Sequence, residues 1–247
     1  MTPMGLFHTL VYEPLYNTLI AFYTLVPGED FGVAIIFTTL LIKFLFIPLS
    51  RKQIVAQKKM QEIQPELKAL QAKHKDDKEK QTRALMEFYK KNKINPLAGC
   101  LPLIVQFIFL LAMYRVIINV SEAGFIVNPA DLYSFIANPG AIQHYFLGLV
   151  DLTAKNNYIL AFLSAAAQYY QMKMLIANQP APAQAASGDR PDFAAIMNKQ
   201  MLYMAPALAF FFGTLFPAAL ALYWLVSTLF MIGQQLLIFQ AQQKKEA

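Results

Sequence analysis

The chain is poor in the residues that build catalytic or metal centres. It has one cysteine, Cys100, which excludes an internal disulfide framework. Its three histidines, His8, His74 and His144, are scattered without metal-ligand spacing. Charged residues make up only 15% of the chain, against about 25% in ordinary soluble domains. No carboxylate lies inside the long apolar runs, so no acid, base or proton relay is expected there. Serine and histidine do not combine as an intramembrane dyad would need, and no glycine-rich phosphate loop occurs. We expect no enzyme activity, no cofactor and no bound metal.

What remains is a membrane composition, with 57% hydrophobic residues among 247 and many phenylalanines and tyrosines for lipid contact and interfacial belts. The formal net charge of +6 is concentrated rather than spread. No Lys or Arg precedes Lys43, whereas Arg51 to Lys93 holds more than half of those in the chain. That clustering is the positive-inside pattern of a membrane protein, and no direct nucleic-acid function is expected. It places the N-terminus outside, residues 51–93 in the cytoplasm and the C-terminus inside. No basic leader or small-residue cleavage site opens the chain, so no cleaved signal peptide is expected.

The runs divide the chain into an all-α membrane fold. Residues 1–29 are expected as an outer interfacial amphipathic helix, with Thr9, Glu13 and Asn17 forming a polar stripe at four-residue spacing. Residues 30–49 form the first span and 50–94 a cytoplasmic helical hairpin. The hairpin's apolar faces are Ile54, Ile63, Leu67 and Leu70 on one limb, and Leu85, Phe88 and Tyr89 on the other. Asn95-Pro96 reads as a helix start opening the second span, 95–118. An outer segment, 119–156, leads to the third span, 157–176. A cytoplasmic loop, 177–199, precedes the fourth and fifth spans, 200–216 and 217–239, joined by a tight turn at Pro217. Residues 240–247 are a cytoplasmic tail. Five spans result, and no internal repeat suggests a transporter of inverted halves.

Lys43 is the one charge within the apolar run 31–49. A cation there costs roughly 2.5–3.5 kcal/mol on insertion scales. Its Cα lies about 12 Å along the helix from the basic end at Arg51, a gap that snorkelling covers only in part. Either it reaches the inner interface, or it lines a wet groove among the polar groups of other spans. Those groups are Thr38, Thr39, Gln106, Ser164, Gln168, Gln171, Ser227, Gln234 and Gln235. Gln106 and Gln168 read equally as hydrogen-bonding glue between helices. Tyr223-Trp224 reads as an interfacial anchor or as packing.

Three stretches carry a family resemblance. They are Leu40 to Gln53 (LLIKFLFIPLSRKQ) with Met60 to Glu66 (MQEIQPE), Lys93 to Gln106 (KINPLAGCLPLIVQ), and Phe216 to Ser227 (FPAALALYWLVS) leading into Gln234-Gln235. In order and over nearly the whole chain they resemble the YidC/Oxa family of membrane protein insertases, in the short form without a large outer domain. The resemblance implies a five-helix core around a hydrophilic groove, open to cytoplasm and lipid and closed outside. It implies a groove cation that draws the acidic outer tail of a nascent single-span protein. Lys43 matches that cation and Trp224 an aromatic of the groove wall, while Gln106 and Gln168 are expected to line it. Substrates are then nascent membrane proteins. The Sec translocon, the signal recognition machinery and the ribosome are expected at 51–93, 177–199 and the C-terminal tail.

Family members typically carry Arg where this chain has Lys43. Lysine is a compact charge that loses its proton more readily when desolvated, so it serves the same role only in a hydrated groove. Two other classes stay open on the residues alone. One is a small channel or transporter with Lys43 as an anion site; the other is a membrane scaffold for ribosomes that inserts nothing.

Overall fold

A computed structural model describes residues 3–74, 77–92, 101–177 and 193–246. The Asn95-Pro96 helix start and most of the 177–199 loop lie outside these residues. The described chain is predominantly helical, as the all-α expectation requires, with one small β-ribbon added.

Helix α1 (Pro3–Phe7), a π-helical turn (His8–Tyr12) and α2 (Glu13–Leu25) run on without a break. Pro14 sits in the first turn of α2, where its missing N–H is tolerated, and the wide turn before it absorbs the lost bond. Val26 takes extended backbone before Pro27, and Gly28 turns the chain at φ +87°. Asp30 then caps α3 (Phe31–Leu45), its Oδ1 accepting from the Val33 N–H at 2.9 Å.

The apolar run expected as one span over 30–49 is not one straight helix. It breaks at Phe46 and continues as α4 (Ile47–Glu62) after a bend of 64°. Pro48 accounts for the break, because it has no N–H for the Phe44 carbonyl and its ring crowds that carbonyl. A second break at Ile63 leads into α5 (Gln64–Lys73), with Pro65 in its first turn. Helix α6 (Lys78–Lys91) packs back on α5, and the Gln81 amide donates to the Gln71 carbonyl across the pair. Asp77 caps α6. The Lys80 N–H and ammonium hold its carboxyl below the usual carboxylate range.

Helix α7 (Leu101–Glu122) leads to a connector carrying the antiparallel ribbon β1 (Tyr145–Phe146) and β2 (Val150–Asp151). Helices α8 (Tyr158–Ala177), α9 (Phe193–Leu215) and α10 (Ala218–Glu246) complete the chain. The link between α9 and α10 is only Phe216-Pro217. Small residues let α8 and α9 approach closely: a Cβ on Gly213 would lie 3.0 Å from Ala161 Cα. Helix α10 lies centrally, touching α3, α7, α8 and α9.

By length and hydropathy one described helix segment, Ala218–Ala241, is sufficient to cross a membrane; α3 with the start of α4 qualifies only as a bent pair. Helix α8 is diluted in its second half by Gln168, Tyr169, Tyr170, Gln171 and Lys173. Arg115 is a further cation in an apolar stretch, exposed and within two turns of the end of α7.

The core is concentrated where α2, the connector, the start of α3, the end of α7 and the start of α10 meet. We call this the packed end, and the opposite one, toward α4, the basic end. Polar bonds lock it. The hydroxyls of Tyr12, Tyr16 and Tyr23, on one face of the first helix, accept from Asn119 Nδ2, Asn128 N and Gln143 N at 2.8–2.9 Å. Burial raises the Tyr16 hydroxyl above its ordinary pKa, so it stays protonated at neutral pH. Asn17, a member of the polar stripe, is 2% exposed. It donates to the Asp131 carbonyl at 2.7 Å and accepts from the Tyr133 N–H at 2.6 Å. Gly32 leaves room for the Phe146 ring, which would overlap any Cβ there.

Asn17→Leu removes both links and strands buried connector groups, at about 1–3 kcal/mol for each group left unpaired. Hydrogen exchange at 131–133 should speed up while α10 stays protected. Unchanged exchange there would show that Asn17 does not hold the connector.

Candidate functional site

Toward the basic end a cavity lies between α3, α4, α7 and α10. Its polar lining follows from helical periodicity. Thr39, Lys43, Phe46, Ser50 and Gln53 are spaced four, three, four and three residues apart, which keeps one face toward the cavity through the Pro48 bend. Helix α7 contributes Gln106 and Phe109, and α10 contributes Tyr223, Met231 and Gln234. Ile42, Phe46, Phe109 and Met231 make the rest of the wall apolar, which strengthens any charge interaction inside.

Lys43 is the charged residue among the described residues of this lining. Its Nζ donates to Gln106 Oε1 at 2.7 Å. Of the two sequence readings, this geometry matches a lysine turned inward to another helix rather than one extended to the interface. One of its three donors is engaged there. The Ser50 hydroxyl lies 3.1 Å from Gln234 Oε1 and 3.0 Å from the Phe46 carbonyl, either of which can accept its single proton. Thr39 is satisfied within its helix by the Ile35 carbonyl at 2.7 Å. The buried Tyr223 hydroxyl faces Ser227 and Gln106 without a well-formed hydrogen bond to either.

The four residues expected at the site fall into two pairs. Lys43 and Gln106 meet in the cavity. Gln168 and Trp224 meet each other outside its lining: the indole Nε1 donates to Gln168 Oε1 at 3.2 Å, and Gln168 Nε2 donates to Gln171 Oε1 at 3.3 Å. Adjacent residues on a helix point about 100° apart. Tyr223 therefore takes the cavity side of α10, and Trp224 faces α8. Tyr223, Ser50 and Gln53 are lining residues that the sequence reading did not name as site residues. The 4-7-3 spacing of the polar residues Thr39, Lys43, Ser50 and Gln53 was the available signal for the latter two.

Chemically the site offers an ammonium, amides and hydroxyls in an apolar frame. Among the described residues of its lining, no nucleophile is paired with a base. A carboxylate about 4 Å from Lys43 would gain about 4 kcal/mol of Coulomb energy at an effective dielectric near 20.

Comparison with known proteins gives a consistent result. The model of the family described as 60Kd inner membrane protein matches residues 21–246. Membrane protein insertase YidC 2 of Bacillus anthracis is 34% identical over 238 residues, covering 95% of this chain and 81% of that protein. Membrane protein insertase YidC of Oceanobacillus iheyensis is 34% identical over 246 residues, covering 98% of this chain and 87% of that one. The protein of that name from Pelobacter propionicus is 35% identical over 233 residues, but the match spans only 38% of its length.

Gln106→Leu leaves the Lys43 ammonium without its partner and should destabilise the protein by about 1–3 kcal/mol. Pairing it with Lys43→Met should recover most of that loss. Thermal unfolding in detergent measures the cycle, and strictly additive losses would mean that the two side chains are not coupled.

Proposed function

The chain belongs to the 60Kd inner membrane protein family, whose relatives in Bacillus anthracis and Oceanobacillus iheyensis are named membrane protein insertases, and on that premise we propose that it inserts nascent membrane proteins and assists their folding. The observation that carries the mechanism is the Lys43–Gln106 pair, held in a cavity formed by four helices.

In this reading α3, α7, α8, α9 and α10 are the five spans, with the packed end outside and the basic end in the cytoplasm. The cavity is a groove open to cytoplasm and lipid. Connector and α2, packed across the outer end, support a one-sided groove rather than a channel. The polar tail of an incoming single-span protein enters from the cytoplasm, its carboxylates drawn by Lys43. Crossing lipid unaided would leave backbone groups unpaired at several kcal/mol each. The groove shortens that passage, and transfer of the substrate's apolar segment into lipid drives release of the tail outward. Gln106 orients the ammonium; Gln168 and Trp224 form the adjoining wall toward α8. The hairpin α4–α6 and the segments 177–199 and 240–247 are the proposed meeting points with the Sec translocon, the signal recognition machinery and the ribosome.

In proteoliposomes, Lys43→Arg should keep insertion of a single-span substrate with an acidic outer tail. Lys43→Glu should reduce it by roughly tenfold or more, equivalent to about 1.4 kcal/mol or more of attraction. Full insertion by Lys43→Glu at normal protein levels sinks the electrostatic mechanism.

A further inference from the structure

Two buried lining groups are unexplained by charge attraction, the Tyr223 hydroxyl and the Gln53 amide. Gln53 is 6% exposed, it faces the same cavity as Lys43, and its Nε2 has no hydrogen-bond partner among the described residues. Leaving a buried amide donor unpaired is unfavourable, and an incoming partner relieves it. The lining beside it is amide and hydroxyl: Ser50 on its own helix and Gln234 across from it on α10. None of these distinguishes one charge from another.

A primary amide carries a donor and an acceptor side by side, the complement of a peptide group. This match holds whichever way the amide is turned. Ten residues separate Lys43 from Gln53, at most about 15 Å along the helix and less across the Pro48 bend. Four or five residues of extended chain cover that distance.

We propose that the cavity is a two-part site: Lys43 takes a carboxylate of the passing tail, and Gln53 takes the tail's main chain four or five residues away, whatever its side chains. The inference rests on the insertase reading and specifies its substrate as an extended polar segment held at two points. Lys43 then sets the preference for acidic tails, while Gln53 sets capacity for tails of any charge.

The test reconstitutes the full chain in vesicles of phosphatidylethanolamine and phosphatidylglycerol. It compares two single-span substrates that differ by one Asp or Asn in the outer tail. Gln53→Leu should lower insertion of both by roughly fivefold, the worth of one neutral hydrogen bond, and leave the acidic-to-neutral ratio unchanged. Lys43→Ala should collapse that ratio toward one. Gln53→Glu, close in shape but anionic, should depress the acidic substrate more than the neutral one. A photocrosslinking residue at position 53 should capture both tails, an arm that decides the matter even if Gln53→Leu folds poorly. Parental insertion by Gln53→Leu, a defect confined to the acidic substrate, or capture of the acidic tail alone overturns the inference. A parent protein that inserts neither substrate overturns the insertase reading and, with it, this one.

Discussion

An ammonium group cannot sit among apolar helices without a partner, and the cavity is organised by that constraint. Lys43 projects from α3, and its ammonium donates to the Gln106 amide oxygen on α7. That bond links the two helices directly. It also leaves two ammonium donors for other acceptors. The surrounding Phe46, Phe109 and Ile42 keep the local dielectric low, so the charge is felt strongly by whatever enters.

The Pro48 bend turns one charged position into a lined passage. Had α3 continued straight, the polar face begun by Thr39 and Lys43 would have followed the bundle axis. Turned by 64° at Phe46, the same face carries Ser50 and Gln53 round the mouth of the cavity and into a run of basic helix. The bend costs little because it falls at a proline that could not have kept the ladder intact. The opposite end is built differently, with tyrosine hydroxyls and one asparagine bonding directly to connector backbone.

Local features were legible in the sequence, and relative orientations were not. Lys43 stood out because charge in an apolar run is costly, and Gln106 because it lies on another apolar helix. The Pro217 turn was readable since proline both ends α9 and permits α10 to start. Gln168 and Trp224 were grouped with Lys43, yet they pair with each other beyond the cavity lining. Spacing within one helix says nothing of which neighbour each face meets. Tyr223 was hidden by the same ambiguity. The partners of Asn17 were hidden because its four-residue spacing from Glu13 and Thr9 shows a shared face but not the connector, more than a hundred residues later, that covers it. The β-ribbon left little trace, with two residues in each strand and Leu147 at positive φ in its turn.

The bonds that close the packed end join residues 107 to 120 positions apart. A chain made from its N-terminus therefore has α2 finished long before the partners of Tyr12, Tyr16, Asn17 and Tyr23 exist. Such distant pairings form late, after much loop entropy has been spent. The connector has backbone bonds of its own, such as Val127 N–H to the Gly140 carbonyl and the β-ribbon, and its side-chain links to α2 join the two into one packed unit. During synthesis α2 thus waits through the whole of α3 to α7, and its buried tyrosine hydroxyls and Asn17 gain their partners only when the connector folds down.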